Sequence, residues 1–201
     1  MAEVAAFPAN AYTLVALVAR HVVNESRSEY LTVGNDLRVI GRFDRTGTDE
    51  GVDVLPIDVY AECEQDCDTR FKTELCVSMT TTQLPNKEDI RTLIEMNKPV
   101  HIWGATSAPG LGTLTEIVDS ANGDYIKIRD RQEGRPFAQK GDSGAMVCYF
   151  DARREVLYAV AILVEVMSRD EGDQNEGYLA HILDIALQKL SIVNGYDFVF
   201  I

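Results

Sequence analysis

The hydrophobic positions of this chain fall in short runs rich in Val, Ile, Leu, Thr and Tyr, broken at frequent intervals by Gly, Asn and Asp. Short alternating or continuous apolar runs bounded by turn residues are strand signals, and many of them in succession describe an all-β barrel or sandwich. Strands are predicted at residues 12–18, 30–33, 37–43, 52–60, 75–79, 100–103, 112–118, 125–129, 145–150 and 156–166. Gly34-Asn35-Asp36, Gly47-Thr48-Asp49 and Asn122-Gly123-Asp124 supply turns between them.

Two segments break this rhythm with a helical period. Asn86 is a helix N-cap with Asp89 three residues on, Ile90, Leu93 and Ile94 form an apolar stripe, and Lys98-Pro99 ends the run. From about residue 178 to 190, Leu179, Ile182, Leu183, Ala186, Leu187 and Leu190 recur at three- and four-residue spacing, and Asn194-Gly195 closes the segment. The chain therefore divides into an N-terminal β lobe (1–84), a linker helix (85–99) and a C-terminal β lobe carrying a terminal helix (100–201).

Composition narrows the function. With 201 residues, 46% of them apolar, the chain can bury a core without staples, as one domain or as two packed lobes. Nineteen basic against 32 acidic residues leave a net charge of −13, which argues against nucleic-acid partners and against attraction to anionic membrane surfaces. The apolar stretch AYTLVALVA at 11–19 follows Glu3 rather than positive charge and is too short to span a bilayer, so it reads as a buried strand. Four cysteines, at 63, 67, 76 and 148, are too sparse for a disulfide scaffold, and an intracellular, cytoplasmic setting is expected. Cys63, Cys67 and Cys76 with Asp66 and Asp68 complete no tetrahedral metal set, so they read as free thiols, and no metal or other cofactor is expected.

The sharpest chemical signal is KGDSGAMV, which sets Ser143 between two glycines and behind an aspartate. An alcohol is a poor nucleophile at neutral pH; it needs a base to take its proton, a third group to orient the base, and donors for the oxyanion. Flanking glycines permit a tight turn in which the Gly141 and Ser143 amides are candidate donors. Only three histidines exist. His21 follows the first apolar strand directly in LVARHVV, His101 lies in the alternating PVHIWG, and His181 falls off the stripe of the terminal helix, where surface is expected. His21 is the best-placed base. For the orienting carboxylate, GVDVLPIDVY offers Asp53 and Asp58, five residues apart and hence on opposite faces of a regular strand; Asp53, which opens the apolar run, is the choice.

The order His21, Asp53, Ser143, with GDSGAMVC around the serine, resembles the chymotrypsin-like serine peptidases. VHIWGATSAPGLGTLTEI is similar to the first hairpin of the second barrel in that family, as intracellular and viral-type members write it. LYAVAILVEV resembles its cleft strand, and GYLAHILDIALQKL its last strand entering the terminal helix. The likeness covers roughly residues 10–190 and is better in the second half. It implies two antiparallel β-barrels, with Ser143 as nucleophile, His21 as base and then acid, Asp53 fixing the imidazole, and the Gly141 and Ser143 amides as oxyanion hole. The reaction implied is hydrolysis of a protein or peptide substrate.

Four departures qualify the likeness. No cleavable Ile-Val-Gly-type start is present, so Asp142 needs Lys140 or a backbone group as its partner, and the site is either formed constitutively or switched by a binding partner. One clear strand precedes His21 where the family has two or three; either the first barrel is incomplete or the chain is one module of a larger protein. Arg20 stands where the family has a small residue, and either lowers the imidazole pKa or points into solvent. By the resemblance, the residue six before the serine, Phe137, lies at the base of the primary pocket, where it disfavours Lys and Arg; it is equally well explained as core. Val164, Glu165 and Val166 are then expected to line the cleft, with Glu165 favouring cationic substrates. The rival reading is a barrel that has lost catalysis and serves binding or regulation.

Overall fold

The computed structural model describes residues 2–7, 13–25, 30–33, 38–42, 52–68, 70–79, 82–120, 124–167, 177–195 and 197–199. In chain order the elements are β1 (Ala2–Phe7), β2 (Thr13–Ala19), α1 (Arg20–Glu25), β3 (Tyr30–Val33), β4 (Arg38–Arg42), β5 (Val54–Asp58), a 3-10 turn at Ala61–Asp66, β6 (Thr82–Gln83), α2 (Lys87–Glu95), β7 (Pro99–Ile102), β8 (Gly110–Val118), β9 (Tyr125–Asp130), β10 (Met146–Asp151), β11 (Val156–Met167), β12 (Gly177–Ile182), α3 (Leu183–Asn194) and β13 (Asp197–Val199).

The C-terminal strands close on themselves. Their order is β10-β7-β8-β9-β12-β11, and β11 pairs back onto β10, so that six antiparallel strands form a barrel without a free edge. Ile102, Leu114, Ile126, Ile128, Val147 and Leu163 fill its interior, each almost wholly shielded from solvent. The short β6 adds to β11 in parallel register. Register shifts interrupt β8, β10 and β11; the one in β11 falls between Leu163 and Glu165 and leaves Val164 without a cross-strand partner in β12.

Among the described residues the N-terminal half is not a closed barrel. Its sheet runs β13-β1-β2-β5, and the β3–β4 hairpin joins it through the single bridge Gly41 to Val59. The last strand of the chain thus pairs with the first. An apolar cluster welds the halves: Val15, Leu17 and Val54 pack with Met146, Ile162 and Leu187.

α2 forms as its sequence predicts. Asn86 Oδ1 accepts from the amides of Glu88 and Asp89, both at 2.9 Å, and Asp89 returns the bond to the Asn86 amide at 3.1 Å, a complete capping box. Two expectations fail. Residues 75–79 form no strand: the segment turns back at Cys76, whose φ is 63°, in a tight loop held by the isolated bridge Lys72 to Ser78 and by Thr73 N donating to Val77 O and Met79 N to Phe71 O. Residues 178–182, given to the terminal helix by their spacing, belong to strand β12, clasped between β9 and β11, and the helix begins at Leu183, in line with the resemblance of GYLAHILDIALQKL to a last strand entering a helix. Pairing on both sides satisfies this backbone and overrides the three- and four-residue spacing. His181, expected at the surface, is therefore fully buried, with its ring 4.8 Å from that of Tyr125.

Phe137 belongs to the barrel core. It is 0% exposed and meets Tyr178 edge-on with centroids 5.2 Å apart. Its amide donates to Asp130 Oδ1 at 2.6 Å and to the Tyr178 hydroxyl at 3.1 Å. Burial, and the Asp130 carboxylate that accepts its proton, push the Tyr178 hydroxyl up to about 12. As expected base of a primary pocket, Phe137 instead plugs the barrel and presents no surface to a ligand. Phe137→Ala is expected to cost about 3–5 kcal/mol of stability through lost burial and the cavity left behind, measurable as a shift in the urea midpoint.

Candidate active site

His21 lies two residues beyond the end of β2, in the first turn of α1. Asp53 immediately precedes β5, which pairs antiparallel with β2 at Ala19 to Val54, so the two side chains come from adjacent strand ends. The Asp53 carboxylate holds His21 twice. Oδ2 takes the imidazole Nδ1 at 2.5 Å, and Oδ1 takes the His21 amide at 2.8 Å. With Nδ1–H donated to a carboxylate, the ring is fixed in the tautomer that leaves Nε2 as acceptor. The pair is only partly shielded, at 36% side-chain exposure for His21 and 21% for Asp53. Asp58, the alternative carboxylate, ends β5 in solvent.

Arg20 strengthens the same clasp. Its Nε donates to Val52 O at 3.1 Å and its amide to Asp53 O at 3.3 Å, so Arg20 and His21 together place four donors on two successive residues. Rather than pointing wholly into solvent, the guanidinium grips the backbone that carries Asp53.

Ser143 occupies a turn built by its neighbours. Gly141 has φ +102° and Gly144 φ +89°, conformations that disfavour any side chain. A Cβ on Gly144 would also stand 3.2 Å from Ala19 N, so the serine turn abuts the end of β2, two residues before His21. Gly144 N donates to Leu163 O at 2.8 Å, and Leu163 N to Ala145 O at 2.9 Å, which pins the turn to β11. Asp142, 1% exposed, anchors the other side: Oδ1 accepts from the amides of Thr106 (2.7 Å) and Ser107 (3.1 Å), and Oδ2 from Gln139 (2.8 Å). Burial by itself would raise its pKa, but the donors of Ser107, Thr106 and Gln139 outweigh it and hold the carboxyl below the ordinary range. Its partners are thus backbone amides from the β7–β8 loop rather than Lys140.

The amides of Asp142, Gly144 and Ala145 are used internally, by Gln139 O, Leu163 O and Asp142 O. Among the described residues, the Gly141 and Ser143 amides between them take no protein acceptor. The Ser143 hydroxyl donates to Val164 O at 3.2 Å, the carbonyl that the β11 irregularity leaves beside the turn. It does not bond the imidazole in this rotamer. Val164 is half-buried and Glu165 exposed, while the side chain of Val166 lies outside the described residues. His101 is buried on β7 with Nε2 against Lys72 O at 2.8 Å, and burial lowers its pKa. Among the described residues, no group of three or more His, Cys, Asp or Glu could hold a metal, and all four cysteines are free thiols. Burial drives the Cys148 thiol up to about 12, which leaves it inert as a nucleophile.

Reasoning from sequence missed three parts of this arrangement: the Thr106-Ser107 amides on Asp142, the Arg20 grip on Val52, and the Val164 carbonyl. GATSAPG was conspicuous as a loop, but nothing in its letters indicates a carboxylate 35 residues away.

Six antiparallel strands closed into a barrel, a smaller sheet packed on it and a helix at the C-terminus make a chymotrypsin-like fold. No family model matches the chain, and no curated protein does. Solved structures do. A glutamic acid-specific serine protease, described as using a histidine triad in substrate binding, aligns over 98% of this chain and 91% of its own at 13% identity, TM-score 0.56. An inactive serine-to-alanine mutant of Rv3671c from Mycobacterium tuberculosis aligns over 96% and 87% at 12% identity, TM-score 0.53. The passenger domain of plasmid-encoded toxin, an autotransporter enterotoxin of enteroaggregative Escherichia coli, aligns over 84% of this chain but 19% of its own at 13% identity, TM-score 0.50. Likeness at such identity shows the fold.

Two outcomes test the geometry. Asp142 has a depressed folded-state pKa, so its contribution to stability is present above about pH 4, the unfolded carboxylate value, and is lost as pH falls through the folded value. Asp142→Asn sets an NH2 group against an amide donor; it should cost about 2–3 kcal/mol at pH 7 and flatten the acid limb of denaturation curves taken from pH 7 to 2. Arg20→Ala, which loosens Val52 and Asp53 without touching either functional side chain, should slow modification of Ser143 by an active-site-directed organophosphorus reagent about three- to tenfold, with little change in melting temperature.

Proposed function

We propose that this protein is a serine endopeptidase. Ser143 Oγ attacks the carbonyl carbon of a peptide bond while His21 Nε2 takes its proton; the C–O bond forms as the carbonyl π pair moves to oxygen. The Gly141 and Ser143 amides receive that oxyanion. Collapse breaks the C–N bond, and His21 returns the proton to the departing amine. Water then repeats the sequence on the acyl-enzyme, again with His21 as base. Asp53 keeps the ring in its tautomer and stabilises the imidazolium.

The observation that carries this reading is the double hold of Asp53 on His21 beside a serine turn whose two unused amides flank the alcohol. The likeness to serine proteases in fold supports it. For catalysis the serine turns about χ1 from Val164 O toward the imidazole. Plugging of the barrel by Phe137 disfavours a deep site for Lys or Arg at the primary position, and Glu165 with the charge of −13 favours cationic residues elsewhere in the substrate. The sparse, unpaired cysteines favour an intracellular setting. A second reading, a barrel used for binding alone, draws on one observation, the Ser143 hydroxyl bonded to a carbonyl instead of to the base.

A fluorophosphonate probe separates the two. Stoichiometric labelling is expected, abolished by Ser143→Ala and slowed by roughly 10⁴-fold in Asp53→Asn. Wild-type protein that remains unlabelled after prolonged incubation would establish the binding reading.

A further inference from the structure

Away from Ser143, the start of β7 and the β10–β11 turn border a groove that the proposed reaction does not use. At one end, Leu75, Val77, Pro99, Phe150 and His101 enclose a hollow of about 330 Å³. It continues past Pro99 and Phe150 into a wider, open trough of about 880 Å³ between α2 and the β10–β11 turn, lined by Tyr149, Tyr158, Lys98, Arg153 and Arg154. Leu75 is 81% and Val77 55% exposed, two apolar side chains held in solvent on the turn that replaces the predicted strand. Beside them the Tyr149 and Tyr158 rings stack with centroids 5.9 Å apart, and Lys98 Nζ sits 5.8 Å above the Tyr149 ring.

The charges in the trough are unevenly satisfied. Each acidic residue lining the groove is already engaged: Glu74 with Arg131 at 2.8 Å, Asp89 with the Asn86 amide, and Asp151 with the Arg153 amide at 2.9 Å and Arg154 Nε at 3.8 Å. Among the described residues, Lys98 and Arg153 pair with no carboxylate. In a chain of net charge −13, two cations without a carboxylate partner on an aromatic shelf, next to an exposed apolar hollow, are places where an added carboxylate would meet an opposite charge.

We infer that this groove is a docking site for an extended peptide segment of a partner protein, carrying one or two carboxylates at Lys98 and Arg153 and, a few residues along, an apolar side chain in the hollow under Leu75 and Val77. The overall acidity opposes a polyphosphate more strongly than one or two carboxylates, and the hollow asks for apolar bulk that a free anion lacks. The site is remote from the serine turn and does not depend on the proposed catalysis.

A phage-displayed library of random dodecapeptides, panned on Ser143→Ala protein so that no selected peptide is cleaved, tests this directly. Enrichment of sequences with Asp or Glu two to four residues from Leu, Phe or Met is expected. Synthetic copies should bind at least tenfold more weakly to Lys98→Glu/Arg153→Glu and to Leu75→Asp, with melting temperatures within a few degrees of the parent. Failure to enrich, enrichment without acidic positions, or unchanged affinity for both folded variants would overturn the inference. So would sedimentation showing that the same substitutions abolish a dimer, which would make a second copy the occupant.

Discussion

The seam between the N-terminal sheet and the closed barrel is the contact on which the rest depends. Val15 and Leu17 on β2 and Val54 on β5 bury against Met146, Ile162 and Leu187, and that apolar contact sets where β2 ends relative to β11. Because Gly144 carries no side chain, the end of β2 comes within van der Waals contact of the serine turn, and the chain then enters α1 with His21 in its first turn. The end of β2 and the serine turn are thus brought together through burial of aliphatic surface, not through any bond between the candidate base and alcohol. A small overpacking at Val15 or Leu17 would separate them as effectively as a change at either polar group.

Around that seam the polar work is done by backbone. Asp142 is buried, ionised and satisfied wholly by donors from the loop before it and the β7–β8 loop. Asp53 receives an amide and a ring nitrogen from one residue, while Arg20 grips the preceding carbonyl. Four carboxylate oxygens of this kind, meeting N–H groups at 2.5–3.1 Å, hold a turn and an imidazole more firmly than exposed ion pairs hold anything. The β7–β8 loop amides on Asp142 satisfy its carboxylate without a cation.

What was legible in the sequence was local. Asn86 with Asp89 announces α2 because a capping box is complete within four residues, and the glycines around Ser143 announce a tight turn because few other residues tolerate positive φ. The candidate triad could be read because the chain has only three histidines and one of them ends an apolar strand. What could not be read was decided by pairing at a distance. Leu179, Ile182 and Leu183 fit a helical stripe as well as a strand entering a helix, and only the presence of β9 and β11 on either side settles β12 as a strand. Its burial then carries His181 into the interior. The 75–79 segment has the composition of a strand, but Cys76 turns it back, and its apolar residues end in solvent.

Phe137 shows how a position can keep its place while its use changes. The loop that delivers the serine turn brings this residue to the barrel mouth, as a resemblance to the peptidases implies, but Asp130 and Tyr178 draw its amide inward and the ring fills the core. A ring held there serves packing. Selectivity, if the barrel acts on peptides, must then come from surfaces outside that pocket, from the exposed Glu165 near the end of β11 and from contacts made farther along a bound chain. Where one subsite contributes little free energy, discrimination between partners has to be distributed over longer contacts.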